Sequence, residues 1–129
     1  MHSNCVFRAT ALAGVLILAT CATAWAQTSD AARLGILRNS NTDGALIALA
    51  LHCKHTPENV NRLGDKLEAL TLVRAKEQAV ALDANTYHEA ARDGFIHMRE
   101  VLAVSTSAED AYRTQCSEVA ERVGKAMAQ

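Results

Sequence analysis

The sequence predicts a small all-α domain, a four-helix bundle stapled by one disulfide. Three features point there. The 129 residues, with a single Pro and five aromatics, are rich in Ala and Leu and poor in the β-branched and aromatic alternation of a sheet. Apolar residues recur at helical spacing in four stretches separated by helix-start and helix-stop signals. Once an export leader is set aside, two cysteines remain, one near the end of the first stretch and one inside the last. A chain of this length supports one domain.

Residues 1–26 read as a secretory signal peptide and 27–129 as a single helical domain. Arg8 is the only charged residue before Asp30, and it precedes the apolar run Ala9 to Ala19 with Val15, Leu16, Ile17 and Leu18. Ala24-Trp25-Ala26 gives the small-x-small pattern that signal peptidase accepts, which sets cleavage before Gln27. An uncleaved anchor needs about 20 apolar residues, more than this run offers. A second processing route is Leu18-Ala19-Thr20-Cys21, an approximation to a lipobox in which Thr20 stands where Gly, Ala or Ser is usual. The expected location is the periplasm, with an outer-membrane lipoprotein through Cys21 as the second reading.

Cleavage leaves Cys53 and Cys116 as the whole complement of thiols. In an oxidising compartment such a pair forms a disulfide, and neither a C-x-x-C spacing nor neighbouring ligands favour a redox or metal role. The two stand 63 positions apart. In the chain-entropy model, closing a loop of that length stabilises by about 4 kcal/mol.

The first helix is expected from about Ser29 to Lys54, with a break at the polar run Asn39-Ser40-Asn41-Thr42-Asp43-Gly44. In its second half Leu46, Leu49, Ala50 and Cys53 share a face, so Cys53 points inward. Thr56-Pro57-Glu58 opens the second helix: Pro lacks only an N–H that has no partner there, and the acid suits the positive helix end. Its stripe is Val60, Leu63, Leu67 and Leu70, then Val73 and Val80, ending near Leu82. Thr86-Tyr87-His88-Glu89 matches a capping box, followed by Tyr87, Ala91, Phe95, Met98 and Leu102 on one face of the third helix. Ser107 heads the fourth, with Glu109 and Asp110 in its first turn and Tyr112, Cys116, Val119, Val123 and Met127 on its stripe. Bridging Cys53 to Cys116 then ties the first helix to the last.

Charge and motif content exclude several functions. With 13 Lys+Arg against 14 Asp+Glu, and Arg8 lost with the leader, the mature chain is mildly acidic. There is no basic stripe for a phosphate backbone and no Gly-rich phosphate loop, so nucleic acid and nucleotides are not expected partners. His52 and His55 stand three apart at a helix end, where cations complement terminal carbonyls, and no carboxylate completes a local metal site. His88 and His97 fall on different faces, so no metal or other cofactor is expected. Ser105 and Ser107 are explained by capping rather than by a nucleophile with its base. The chain is not expected to be an enzyme. Tyr87, Phe95, Met98 and Tyr112 sit at core spacing, and Phe95 and Met98 are the candidates for a partner-binding surface.

Three local features resemble the PulS/OutS-type pilotins of type II secretion. They are Leu51-His52-Cys53-Lys54 before a polar turn and a long helix, Tyr87 opening the third helix, and Thr114-Gln115-Cys116-Ser117 after a segment with Ser105-Thr106. The shared order covers nearly all of residues 30–125. The resemblance implies a four-helix bundle bridged between its first and last helices. It also implies a binding role, the capture of a secretin's disordered C-terminal segment as a helix in a groove. Thr20 and the cleavage site after Ala26 depart from the lipoprotein leader such proteins carry. The alternatives from the residues alone are a periplasmic immunity or inhibitor protein against a toxin or hydrolase, and a small periplasmic chaperone.

Overall fold

In the computed structural model, residues 18–105 and 108–129 are described, with side chains from residue 29 onward. They form four helices: α1 (Leu18–His52), α2 (Pro57–Glu77), α3 (Ala84–Val104) and α4 (Glu109–Ala128). Among the described residues there is no strand, and no helix is long and apolar enough to cross a membrane. Most of the expected leader, residues 1–17, lies outside the described residues.

The chain is an all-α four-helix bundle with α1 at its centre. The core joins Leu46, Leu49 and Ala50 of α1 to Val60, Leu63 and Leu67 of α2 and to Val119, Val123 and Ala126 of α4. Burying these aliphatic faces is the main force holding the helices together. Cys53 and Cys116 are bonded, with their Cα atoms 5.4 Å apart, which ties the end of α1 to α4 as the sequence predicts. Helix α3 packs on α1 and touches α2 only slightly, and among the described residues the backbones of α3 and α4 do not come close together.

The polar run Asn39 to Gly44 is not a break; α1 continues through it. Ser40, Asn41 and Thr42, which argue for a turn, each have a partner compatible with the helix. The buried Ser40 hydroxyl donates to the Ile36 carbonyl at 3.1 Å, and the Thr42 hydroxyl donates to Arg38 at 2.9 Å. Asn41 Nδ2 donates across to the Ala90 carbonyl of α3 at 3.4 Å. Gly44 lies against the backbone of Ala91, and Gly94 of α3 lies against the backbone of Asn41. The run is therefore the crossing point of α1 and α3, where two glycines let the backbones touch. Further along, Ala48 and Leu51 share a cleft with Arg99 and Leu102, so the two helices run in the same direction.

Helix ends explain the other differences from expectation. Thr56 caps α2 as predicted, its hydroxyl accepting the Asn59 N–H at 3.3 Å ahead of Pro57. The helix stops at Glu77 rather than near Leu82. Ala79 takes a left-handed conformation with φ 54°, its N–H donating to Lys76, while the Val80 N–H donates to Ala75. That is a Schellman ending with Ala where Gly is usual. Lys54 closes α1 the same way with φ 60°, the His55 N–H reaching Ala50 and its own reaching Leu51. Consequently Val73 is exposed and Val80 falls outside the helix, while Thr71 and Ala75 are the buried residues on the last turns of α2.

The predicted capping box of Thr86 and Glu89 does not form. Asp83 is the N-cap of α3, its Oδ1 accepting the Thr86 N–H at 2.7 Å, and that bond holds its carboxyl below the ordinary value. Both residue types satisfy the same free N–H groups, and the earlier one starts the helix. The N-cap position of α4 is Ala108, with no side-chain cap, while Glu109 and Asp110 occupy the first turn as expected; Ser107 lies outside the described residues.

Candidate functional site

The backbones of α3 and α4 do not come close together, and a trough lies between them beside the end of α1. One cleft of about 560 Å³ is walled by Met98, Val101 and Leu102 of α3 and by Tyr112 and Gln115 of α4, with His52 of α1 at its base. A second, of about 400 Å³, continues from His52 and Leu102 to Leu51, Ala48 and Arg99 along the α1–α3 seam. Met98 and Leu102 pack against the core on one side and face the trough on the other. Along it, Leu51 is 43% exposed and Val101 40%. A cluster of exposed aliphatics on one end of a small protein is a surface that water disfavours and that partners commonly cover.

The wall contributed by α4 is fixed by two contacts besides the disulfide. Tyr112 donates its hydroxyl to the His52 carbonyl at 3.1 Å, and its ring meets the His52 ring edge-on with centroids 5.3 Å apart. Of the two candidate partner residues, Met98 lines this trough. Phe95 sits one turn earlier on α3, half-buried beneath Arg99, whose guanidinium carbon lies 5.9 Å from the ring centroid. It faces a separate shallow concavity with Ile96, Glu100 and Ala103. The structure does not bring the two candidates into one cleft. Tyr112 does line it, whereas Tyr87 is buried.

Searches with the whole chain found no match. No family model, no curated protein and no solved structure matches it.

Several groups with chemical potential are tied up in structure. His88 Nε2 and Glu68 Oε2 lie 2.9 Å apart and clamp α3 to α2 at the surface. Among the described residues no group of three His, Cys, Asp or Glu side chains is placed to hold a metal ion. His52 is occupied by Tyr112, and Ser105 donates to the Val101 carbonyl at 2.7 Å. The trough is lined by Leu51, Met98, Val101 and Leu102 together with the polar groups of His52, Arg99, Ser105, Glu109, Tyr112 and Gln115, an apolar floor with a polar edge that suits an amphipathic helix.

A partly buried polar cluster ties three helices together. Asp43 Oδ2 accepts from the Thr71 hydroxyl at 2.9 Å and from the Tyr87 hydroxyl at 3.4 Å, joining α1, α2 and α3. Burial is the main cause that raises the Asp43 carboxyl above its ordinary value, against the lowering effects of Thr71, Tyr87 and the Arg74 charge. Burial, with the charges of Asp43 and Glu68, also raises the Tyr87 phenol, which stays protonated and donating. Since the folded carboxyl titrates above the unfolded one, its stabilising contribution is complete below the unfolded value of 3.8 and is lost as pH rises through the folded value. Asp43→Asn keeps an acceptor oxygen and cannot ionise. It is expected to melt higher than the parent at about pH 7 and to lose that advantage near pH 3. Thermal melts of both proteins across that range check this, and an advantage that persists or grows in acid would contradict it.

Proposed function

We propose that the mature chain is an exported, non-catalytic binding protein that captures an amphipathic helical segment of a partner, in the manner of a pilotin taking the C-terminal segment of a secretin. The trough between α3 and α4 carries this reading. Its lining mixes apolar and polar side chains, and Val101 and Leu51 along it are exposed. A helix is about 10 Å across with its side chains, and laying one between two splayed helices buries its apolar stripe against theirs. Met98 suits such a site, because an unbranched thioether adapts to the side chain that arrives. A toxin inhibitor would need a protruding charged face, and the trough favours capture over that alternative.

Export is supported by the disulfide, which belongs to an oxidising compartment. A soluble periplasmic form is the primary reading, and a lipid on Cys21 the second.

Leu102→Glu puts a charge into the shared wall of both clefts, at a residue only partly buried. Titrated with a synthetic peptide of the secretin C-terminal segment, the parent is expected to bind with a gain of helical circular dichroism. The variant is expected to bind at least about 10-fold more weakly while retaining the parent's own helical spectrum, since an unpaired charge in an apolar contact costs more than a factor of ten. Equal affinity of parent and variant would remove the trough from the binding site, and no binding to the parent would refute capture of a secretin segment.

A further inference from the structure

We propose that the Cys53–Cys116 bond is a redox latch for the trough: it holds the first half of α4 in place as one wall, and its reduction frees that wall while the rest of the bundle stays folded. From Glu109 to Glu118 no residue of α4 is buried; its buried residues are Val119, Val123 and Ala126. The first turn has no side-chain cap, and its Glu109–Arg113 ion pair is exposed on both sides and contributes little. The backbone of α3 does not come close to this half, and a cleft separates them. The disulfide and the contact of Tyr112 with His52 are the specific ties that join it to α1, with Gln115 partly buried beside them. A helical stretch of ten residues held by one hydrogen bond and one ring contact is marginal in water. The other end of the bond is anchored, since Cys53 sits against the core at a closed helix ending.

Both cysteines are half-buried, so a thiolate can reach the bond. A dithiol reductant attacks one sulfur and forms a mixed disulfide. Its second thiol then closes the reductant's own ring and releases the remaining cysteine. Two electrons and two protons pass to the protein as the dithiol becomes a cyclic disulfide. The wall bearing Tyr112 and Gln115 is then lost, and with it the trough. A partner would be held in an oxidising compartment and let go in a reducing one; that consequence rests on the capture reading above, whereas the latch itself does not.

Hydrogen exchange followed by mass spectrometry on the purified oxidised protein, with and without dithiothreitol, tests the latch. The expected result in the reduced protein is that amides of residues 109–117 exchange like an unfolded chain. Those of α2 and of residues 119–127 remain at least about 100-fold slower than unfolded peptide. A Cys53→Ser, Cys116→Ser double variant should reproduce this without reductant. Amides of 109–117 that stay as protected as those of α2 in the reduced protein, or unchanged protection at 109–117, would overturn the proposal. Local loss at 109–117 in a protein that takes up no secretin peptide in either redox state would uphold the latch and refute the capture reading alone.

Discussion

Replacing either crossing glycine by alanine is expected to disrupt the bundle, although alanine favours helix. A Cβ on Gly44 would overlap the Ala91 carbonyl, and one on Gly94 would overlap the Asn41 carbonyl. In each case the obstacle is backbone, which cannot rotate away as a side chain can. Relief requires α1 and α3 to move apart, which breaks the Asn41–Ala90 hydrogen bond and strains the Asp43–Thr71–Tyr87 cluster. The helix-propensity gain from Gly to Ala is about 1 kcal/mol, whereas overpacking against an unyielding neighbour costs about 3 kcal/mol or more. The net loss corresponds to a fall in melting temperature of about 10 °C or more for a domain of this size. Gly35 and Gly124 are the internal controls. A Cβ at either meets nothing, so alanine there should stabilise by up to about 1 kcal/mol. Thermal melts of the four variants check the contrast, and four similar small shifts would mean that the α1–α3 backbones do not touch.

Removing the disulfide is expected to have an effect of similar size by a different route. Cys53 and Cys116 close a loop of 63 residues, and opening it restores entropy to the unfolded chain worth about 4 kcal/mol in the chain-entropy model. A stability of roughly 5–10 kcal/mol is typical of a small domain, so the bundle should survive reduction but melt about 15–30 °C lower. Melts of the oxidised protein and of the Cys53→Ser, Cys116→Ser variant measure this. A difference of only a few degrees would show that the bridge orders its own neighbourhood and contributes little to the whole.

Much of this architecture is legible from the residues. Periodicity alone places Leu46, Leu49, Leu63, Leu67, Val119 and Val123 in one core, and cysteine counting pairs Cys53 with Cys116, because both depend on local spacing and on chemistry that has few alternatives. Asn39 to Gly44 misleads because turn-forming side chains bond equally well to a helix carbonyl four residues back or to a neighbouring helix, and only the tertiary structure decides which. The ends of α2 and α3 shift for a related reason: Ala79 accepts a left-handed conformation usually left to Gly, and Asp83 caps before Thr86 has the chance. The trough is the least legible feature. Met98, Leu102 and Tyr112 carry the apolar spacing of core residues, and what exposes them is that α3 and α4 fail to meet, a property of helix placement that no single stripe encodes.

Affinity capture of the tagged, natively exported protein from its own cell envelope, with the bound protein identified by mass spectrometry, tests the capture reading most directly. The account predicts recovery of a secretin, lost when the secretin's C-terminal segment is deleted and lost again when the bait carries Leu102→Glu. Recovery of a toxin or hydrolase with no secretin, equally by the parent and by the Leu102→Glu bait, would contradict it.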